Sequence, residues 1–272
     1  MQSKSLAEFL ERLHSINSYI QVQIGQEQGD DWFSHDEFIQ PNSPQLEMIL
    51  QRISSQVGCD DRHFLATSFI ASYCWQMTAV GVLSFLSVRR VPDFSPQNLR
   101  LHIDQNAWHD KLALATDHFY ALPDDPEAGH AHVSIVEDID ALRACLRTQI
   151  EAHMTGIIDA LKIRTGMGKR GMWGIVADRF AGNLLHAAKT LGHEDLCKHE
   201  IAGLVQVTGS ALKGKTGMMV IEYEGRSETF LQRGACCNYY KAPGYGYCST
   251  CPRQRPEEIV ERLRESMTAK AH

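Results

Sequence analysis

Net positive charge is what this chain of 272 residues lacks first: 27 lysines and arginines stand against 33 aspartates and glutamates, a formal charge of −6 with histidine neutral. An acidic chain has to concentrate its bases locally to compete for phosphate, which argues against an electrostatic nucleic-acid binder. Proline is scarce at 9 residues, and with 43% hydrophobic and 22% charged side chains the composition excludes fibrous and disordered classes. No internal repeat or low-complexity tract marks a solenoid. The segment from Met1 to Ile20 has no apolar run ending in small residues and carries Glu8 and Glu11, so no secretory signal is expected. Without one, a disulfide framework is not expected either. A chain of this length buries roughly three quarters of its unfolded surface, enough to fold without metals or disulfides as staples.

Long apolar runs are nearly absent as well. The exception is Phe64 to Val88, 25 residues without a charge and nominally long enough to span a membrane. Thr67, Ser68, Ser72, Gln76, Thr78, Ser84 and Ser87 interrupt it, and a helix buried in a large core looks the same. The expectation is a buried helix, or a helix pair broken near Gly81, and no transmembrane span; peripheral membrane contact stays open.

Periodicity and punctuation place the other elements. Leu6, Phe9, Leu10, Leu13 and Ile16 give a helix over Ser5 to Ile20, Asp30 to Pro44 reads as a loop, and Pro44 to Gln56 as a helix. Asn98 to Asp104 and His132 to Glu137 have strand length and are expected to share a small sheet. Leu142, Leu146, Ile150, Met154, Ile157 and Leu161 stripe a long helix over Asp138 to Arg164; further helices follow over Trp173 to Leu191 and from Glu194. Met218 to Glu224 and Glu228 to Arg233 flank Gly225 as a hairpin that runs into Cys236, and Pro256 with Glu257 and Glu258 opens a C-terminal helix. The fold class is α+β: a helix-rich body with a small antiparallel sheet and a C-terminal metal-binding subdomain.

Two motifs fit in letters only. Gly209 to Thr216 satisfies the P-loop pattern, with Leu204 to Thr208 available as the preceding strand, but Gly217 and a strand follow where a helix N-terminus is needed. A nucleotide hydrolase is therefore a third-rank reading, testable by Lys215→Ala. Gly166, Gly168 and Gly171 fit GxGxxG but follow a helix, so they read as its end and the start of the next. Lys162, Arg164, Lys169 and Arg170 around them offer an anion or acidic-protein docking surface, against the plainer account of a solvated helix end. Among 13 histidines only His130 and His132 are spaced as a strand-borne pair, with no third ligand.

Cysteine is the residue that is concentrated. Cys59, Cys74, Cys145 and Cys197 are isolated and suit core packing, whereas Cys236, Cys237, Cys248 and Cys251 fall within 16 residues. Four thiolates complete either a tetrahedral zinc site or a [2Fe–2S] centre. Adjacent cysteines diverge in an extended segment, so Cys236 and Cys237 sit more comfortably on different atoms of a cluster than on one ion, a modest preference for iron–sulfur. A zinc-stapled binding module without redox activity is the alternative.

Adjacent cysteines, ten residues, then CxxC, all after a hairpin, resemble the pattern of the FhuF-type ferric-siderophore reductases. Arg233 ahead of the pair and Tyr239 or Tyr240 after it belong to the same resemblance, which is weaker through the helical remainder. It implies that Cys236, Cys237, Cys248 and Cys251 hold a [2Fe–2S] cluster, and that the protein passes one electron to siderophore-bound Fe(III) to release Fe(II) in the cytoplasm. It further implies a ferredoxin, flavodoxin or reductase as electron donor. Residues 1–216 would be the body that binds the ferric siderophore, and residues 217–272 the hairpin, cluster segment and C-terminal helix. The cluster itself carries the chemistry, with no separate acid or base; Arg233, Lys241, Tyr239 and Tyr240 are the candidate substrate contacts. The tail after Cys251 is longer than the family pattern and is placed to cover part of the cluster. From Gln232 to Pro256 there is no acid but there are Arg233, Lys241, Arg253 and Arg255. Each such cation near an anionic cluster favours its reduced form, by about 2 kcal/mol at roughly 7 Å and an effective dielectric near 20.

Overall fold

Side-chain caps set the helical frame. Ser5, Ser43, Asp61 and Asp138 each accept a backbone N–H three residues on, and Glu37 accepts the Ser34 N–H; these residues open α1 (Leu6–Ile16), α2 (His35–Ile39), α3 (Pro44–Val57), α4 (Arg62–Val88) and α5 (Ile139–Thr165). Three more helices follow: α6 (Lys169–Leu191), α7 (Cys197–Leu204) and α8 (Pro256–Ala269). The computed structural model describes residues 5–25 and 31–269; the start of the N-terminal segment, and Asp30 of the expected loop, lie outside the described residues.

The uncharged run forms one continuous helix. α4 packs along α6 and against α1, α3 and α5, and although it is long and apolar enough to cross a membrane, 94% of its most apolar window is buried inside the protein. Its polar interruptions tie it to neighbours: Ser72 Oγ accepts the His109 backbone N–H at 2.9 Å, and Gln76 Nε2 donates to Tyr19 O and Asp110 O at 3.0 and 2.6 Å. Gly81 does not break it. A Cβ there would stand 2.7 Å from Leu146 Cδ1 and 3.0 Å from the Phe94 ring, so this glycine lets α5 approach α4.

Among the described residues, nine strands build three small sheets. β1 (Val22–Ile24), β2 (Trp32–Ser34), β4 (Leu99–Ile103) and β5 (His109–Leu114) lie in the order β1-β5-β4-β2; β3 (Arg90–Pro92), β6 (Phe119–Ala121) and β7 (Val133–Ile135) form a second sheet; β8 (Gly217–Tyr223) and β9 (Arg226–Gln232) form the expected antiparallel hairpin. The β1/β5 and β6/β7 pairs are parallel, which the sequence did not announce. The two strands expected to share a sheet do not: Leu99–Ile103 pairs with β2 and β5, and Val133–Ile135 with β6. The loop expected before Pro44 contains β2 and α2 instead, because Phe38 is buried there against Phe69 and Tyr73, with Phe33 packed on Phe38. Leu204 to Thr208 is the end of α7 and a turn rather than a strand, and Gly209 to Thr216 runs as turns into β8 without opening a helix. Gly166 (φ 72°) ends α5 and Gly168 caps α6, as the second motif's context requires.

One apolar core runs from Leu6 to Ala242, drawing on α1 to α7 and the sheets, with Met218, Leu231, Ala235 and Tyr239 packed against it. A second, small cluster of Ile221, Leu263 and Met267 joins α8 to the hairpin. Arg262 of α8 bonds the cysteine segment at Tyr247 O, at 3.2 Å.

Candidate functional site

The chain leaves β9 onto a seat cut into α6. A Cβ on Gly174 would come 2.6 Å from Ala235 Cβ, so residues 234 and 235 lie directly on the helix. One turn further, the buried Asp178 accepts the Gly234 N–H at 2.8 Å, the Ala235 N–H at 3.2 Å and the Thr216 hydroxyl at 2.6 Å. Burial raises the Asp178 pKa, and these three donors oppose the rise. Gly234 is fixed by the same packing, since a Cβ there would stand 2.5 Å from the Thr216 backbone nitrogen. On the other flank, the Thr67 hydroxyl of α4 donates to Cys237 O at 2.6 Å, and Lys241 pairs with Asp61 at 2.6 Å. The segment between β9 and α8, with only a short helical turn at Tyr239–Lys241, is thus clamped between α4 and α6.

All eight cysteines are free thiols. Cys237 Sγ lies 3.5 Å from Cys248 Sγ; burial first, and then the neighbouring Cys236 thiol, raises the Cys251 pKa. The Cys237/Cys248 pair shares a proton: the hydrogen bond from Cys248 holds the Cys237 thiol down to about 5, and the same bond pushes Cys248 up. Arg233 Nη1 approaches Cys248 Sγ at 3.6 Å, and the neighbouring Cys236 raises the pKa of the Arg253 guanidinium. Among the described residues no three His, Cys, Asp or Glu side chains converge on a single-ion position. The four thiols therefore present themselves as two pairs, each flanked by an arginine. A donor set of two thiolate pairs fits a two-iron centre better than one tetrahedral ion.

Cys237 and Cys248 open into a cleft of about 830 Å³. Trp108, Tyr239, Tyr245 and Tyr247 supply its aromatic surface, and Arg179 and Arg233 its positive charge. Trp108 is presented by the β4–β5 turn, where Asp104 Oδ1 accepts the Asn106 and Trp108 backbone N–H groups at 2.9 and 2.8 Å. Arg179, one residue after the seat formed by Asp178, is half-buried and forms no ion pair among the described residues; burial lowers its pKa.

Of the substrate contacts expected from sequence, Arg233 and Tyr239 line this cleft, and Lys241 and Tyr240 do not. Lys241 is held by Asp61, while Tyr240 lies 5.1 Å from the Tyr247 ring and beneath Arg253 at 5.0 Å. Arg255 is also engaged, by Glu258 at 2.8 Å. Two of the four local cations are thus neutralised, and Arg179 arrives from α6 in their place. Asp178, Arg179 and Trp108 carried no signal in the sequence; Tyr245 and Tyr247 did, as aromatics within the interval between the cysteines. His130 and His132 have rings 5.4 Å apart, and His132 is bonded to Glu127 at 2.8 Å, away from the thiols.

The profile described as ferric iron reductase FhuF-like transporter matches residues 67–204, and the FhuF 2Fe-2S C-terminal domain matches residues 233–253. The chain belongs to the FhuF-like ferric iron reductase family. The first match covers the core from α4 to α7 and so contains Asp178 and Arg179; the second covers the cysteine segment from Arg233 to Arg253, and the cofactor of this family domain is a [2Fe–2S] cluster. No curated protein matches the chain.

Proposed function

We propose that the protein is a cytoplasmic ferric-siderophore reductase, in which Cys236, Cys237, Cys248 and Cys251 hold the [2Fe–2S] cluster and the cleft beside Cys237 and Cys248 receives the ferric chelate. One observation carries the reading: the Cys237 and Cys248 thiols, 3.5 Å apart, stand at the wall of an aromatic cleft in which Arg179 and Arg233 outnumber the single acid, Asp104. When bound, a [2Fe–2S] cluster supplies one electron at a time. Arg179 and Arg233 attract the anionic oxygens of hydroxamate, catecholate or carboxylate chelators, and Trp108 with the tyrosines gives flat faces for their organic arms. Fe(III) in the chelate gains one electron and becomes Fe(II), which hard oxygen donors hold far less tightly, so release follows without proton transfer from a side chain. The electron is replaced by a one-electron donor of the ferredoxin or flavodoxin class. A single zinc ion held by the four thiolates is the alternative, and the match of residues 233–253 to a 2Fe-2S domain supports the cluster over it.

The test is an anaerobic visible spectrum with iron, sulfide and zinc assays, followed by mixing of reduced protein with a ferric trihydroxamate and an Fe(II) trap. About two irons and two sulfides per chain, bleaching on reduction, and colour recovered as Fe(II) appears are expected. A colourless protein with one zinc and no sulfide, or a cluster that no ferric chelate reoxidises, refutes the proposal.

A further inference from the structure

Cys236 and Cys237 are neighbours in sequence but open on different clefts. Cys237 lines the aromatic cleft described above; Cys236 lines a second one, of about 520 Å³, on another face of the same segment. The walls of the second cleft include Arg170, Lys213, Lys215, Arg253 and His63, and no acidic residue. Arg170, Lys213, Lys215 and Arg253 are exposed, and among the described residues none of the four forms an ion pair. Lys213 donates to the Thr208 hydroxyl at 2.8 Å, and Arg253 lies over the Tyr240 ring at 5.0 Å, so neither has its charge neutralised by a carboxylate. The loop that matched a P-loop in letters supplies Lys213 and Lys215, and the glycine-punctuated junction of α5 and α6 supplies Arg170.

We infer that this basic cleft is the docking face for an acidic one-electron donor protein, so that electrons enter on the Cys236 side and leave on the Cys237 and Cys248 side. The inference rests on the reductase reading, which requires a donor. In a chain of net charge −6, a patch with several cations and no acid is a local exception, and it surrounds a cluster thiol. Complementary charge of this kind mainly raises the association rate, which is what a transient electron-transfer encounter needs. The second cleft lacks the aromatic walls of the first, which separates a protein-docking role from chelate binding. With donor and chelate on different faces, both can be bound at once.

Anaerobic stopped-flow mixing of the full cluster-loaded chain tests this, with a reduced acidic [2Fe–2S] ferredoxin as the probe and photoreduced deazaflavin as an uncharged comparator. The variant is Arg170→Glu/Lys213→Glu/Lys215→Glu, which leaves Arg253 untouched. At low salt, ferredoxin should reduce the variant at least about tenfold more slowly than the wild type, and the wild-type rate should fall as salt shortens the range of the charges. Reduction by deazaflavin and reoxidation by a ferric trihydroxamate should stay within about twofold, and Arg170→Lys/Lys213→Arg/Lys215→Arg should restore the ferredoxin rate. An unchanged ferredoxin rate overturns the inference. So does an equal loss with both reductants, which marks damage to the site, or a loss confined to ferric-chelate reoxidation, which assigns the cleft to the chelate. A wild-type cluster that ferredoxin reduces through this face but no ferric chelate reoxidises refutes the reductase reading and leaves the docking face supported.

Discussion

The helical body and the cysteine segment are held by different balances of apolar packing and polar tethers. Around α4 the interior is apolar and dense, and its buried polar groups include the hydrogen-bonded Ser72–His109 and Tyr73–His153 pairs at 2.8 Å, whereas Ser84 Oγ and His109 Nε2 find no partner among the described residues. From Arg233 to Arg255 almost no regular structure is present, and beside the packing of Ala235, Tyr239 and Ala242 on the core the chain is held by a handful of polar tethers: Asp178, Thr67 and the Lys241–Asp61 pair. The comparison teaches that the body has the apolar burial to fold without its cofactor, whereas the segment depends on a seat cut into the body and on the metal centre it carries.

The largest effect that sharpens this contrast is removal of a thiol. Cys237→Ala or Cys248→Ala should abolish the visible absorption and bound iron, because one sulfur pair is lost, while circular dichroism and the thermal midpoint of the body change little. Loss of helical signal together with iron would break the contrast, since the body would then need the cluster to fold.

Acid should strike the body first. Burial lowers the pKa of His109 and of His153 to about 3, so both stay neutral in the folded state and take up protons on unfolding. Between about pH 6.5 and 3 the unfolded chain binds more protons than the native one. Native stability therefore falls as pH is lowered through that window, by about 1.4 kcal/mol per pH unit for each histidine. Urea melts of apoprotein at pH 7.5 and 5.5 check the slope, and His109→Gln should flatten it; equal midpoints at the two pH values would contradict the burial assigned to these rings.

Asp178→Ala comes next. It leaves the Gly234 and Ala235 N–H groups and the Thr216 hydroxyl without their acceptor, at a cost of about 2–4 kcal/mol. The loss should appear as faster cluster release to a chelator rather than as a matching drop in body stability. Gly234→Ala should act in the same direction, since its Cβ would stand 2.5 Å from the Thr216 backbone nitrogen and 2.6 Å from the Thr216 hydroxyl that donates to Asp178.

What the sequence disclosed follows the same division. The long stripes of α4 and α5, the hairpin and the cysteine pattern were legible because each is a local repetition that burial or ligation requires. The strand pairing was not: β5 and β6 recruit β1 and β7 in parallel across long stretches of chain, and nothing in three-residue strands such as Val22–Ile24 or Phe119–Ala121 names the partner. Phe38 turned an apparently polar loop into α2 by tertiary burial. In the site, the thiols could be read from spacing, but Asp178 and Arg179 lie more than fifty residues upstream on a helix that looked like core. Only the close approach of Gly174 to Ala235 brings them under the cysteines.

The smallest predicted effects concern charge at the cluster, and here two lysine and arginine positions that looked alike in sequence separate. Arg233 lies 3.6 Å from Cys248 Sγ and has no carboxylate partner among the described residues, whereas Lys241 is paired with Asp61 at 2.6 Å. An unpaired cation roughly 7 Å from the cluster centre, at an effective dielectric near 20, favours the reduced form by about 2 kcal/mol, on the order of 100 mV. Arg233→Met should lower the reduction potential by an amount of that order. Lys241→Met removes one half of a nearly neutral pair, and the Asp61 carboxylate it leaves behind is partly exposed, screened by solvent, and still able to cap α4; the shift should be a few tens of millivolts at most. Potentiometric titration of both variants followed by absorbance measures the difference directly. Equal shifts would mean that the cluster senses the total charge of the segment and not the two arginines that flank its thiol pairs.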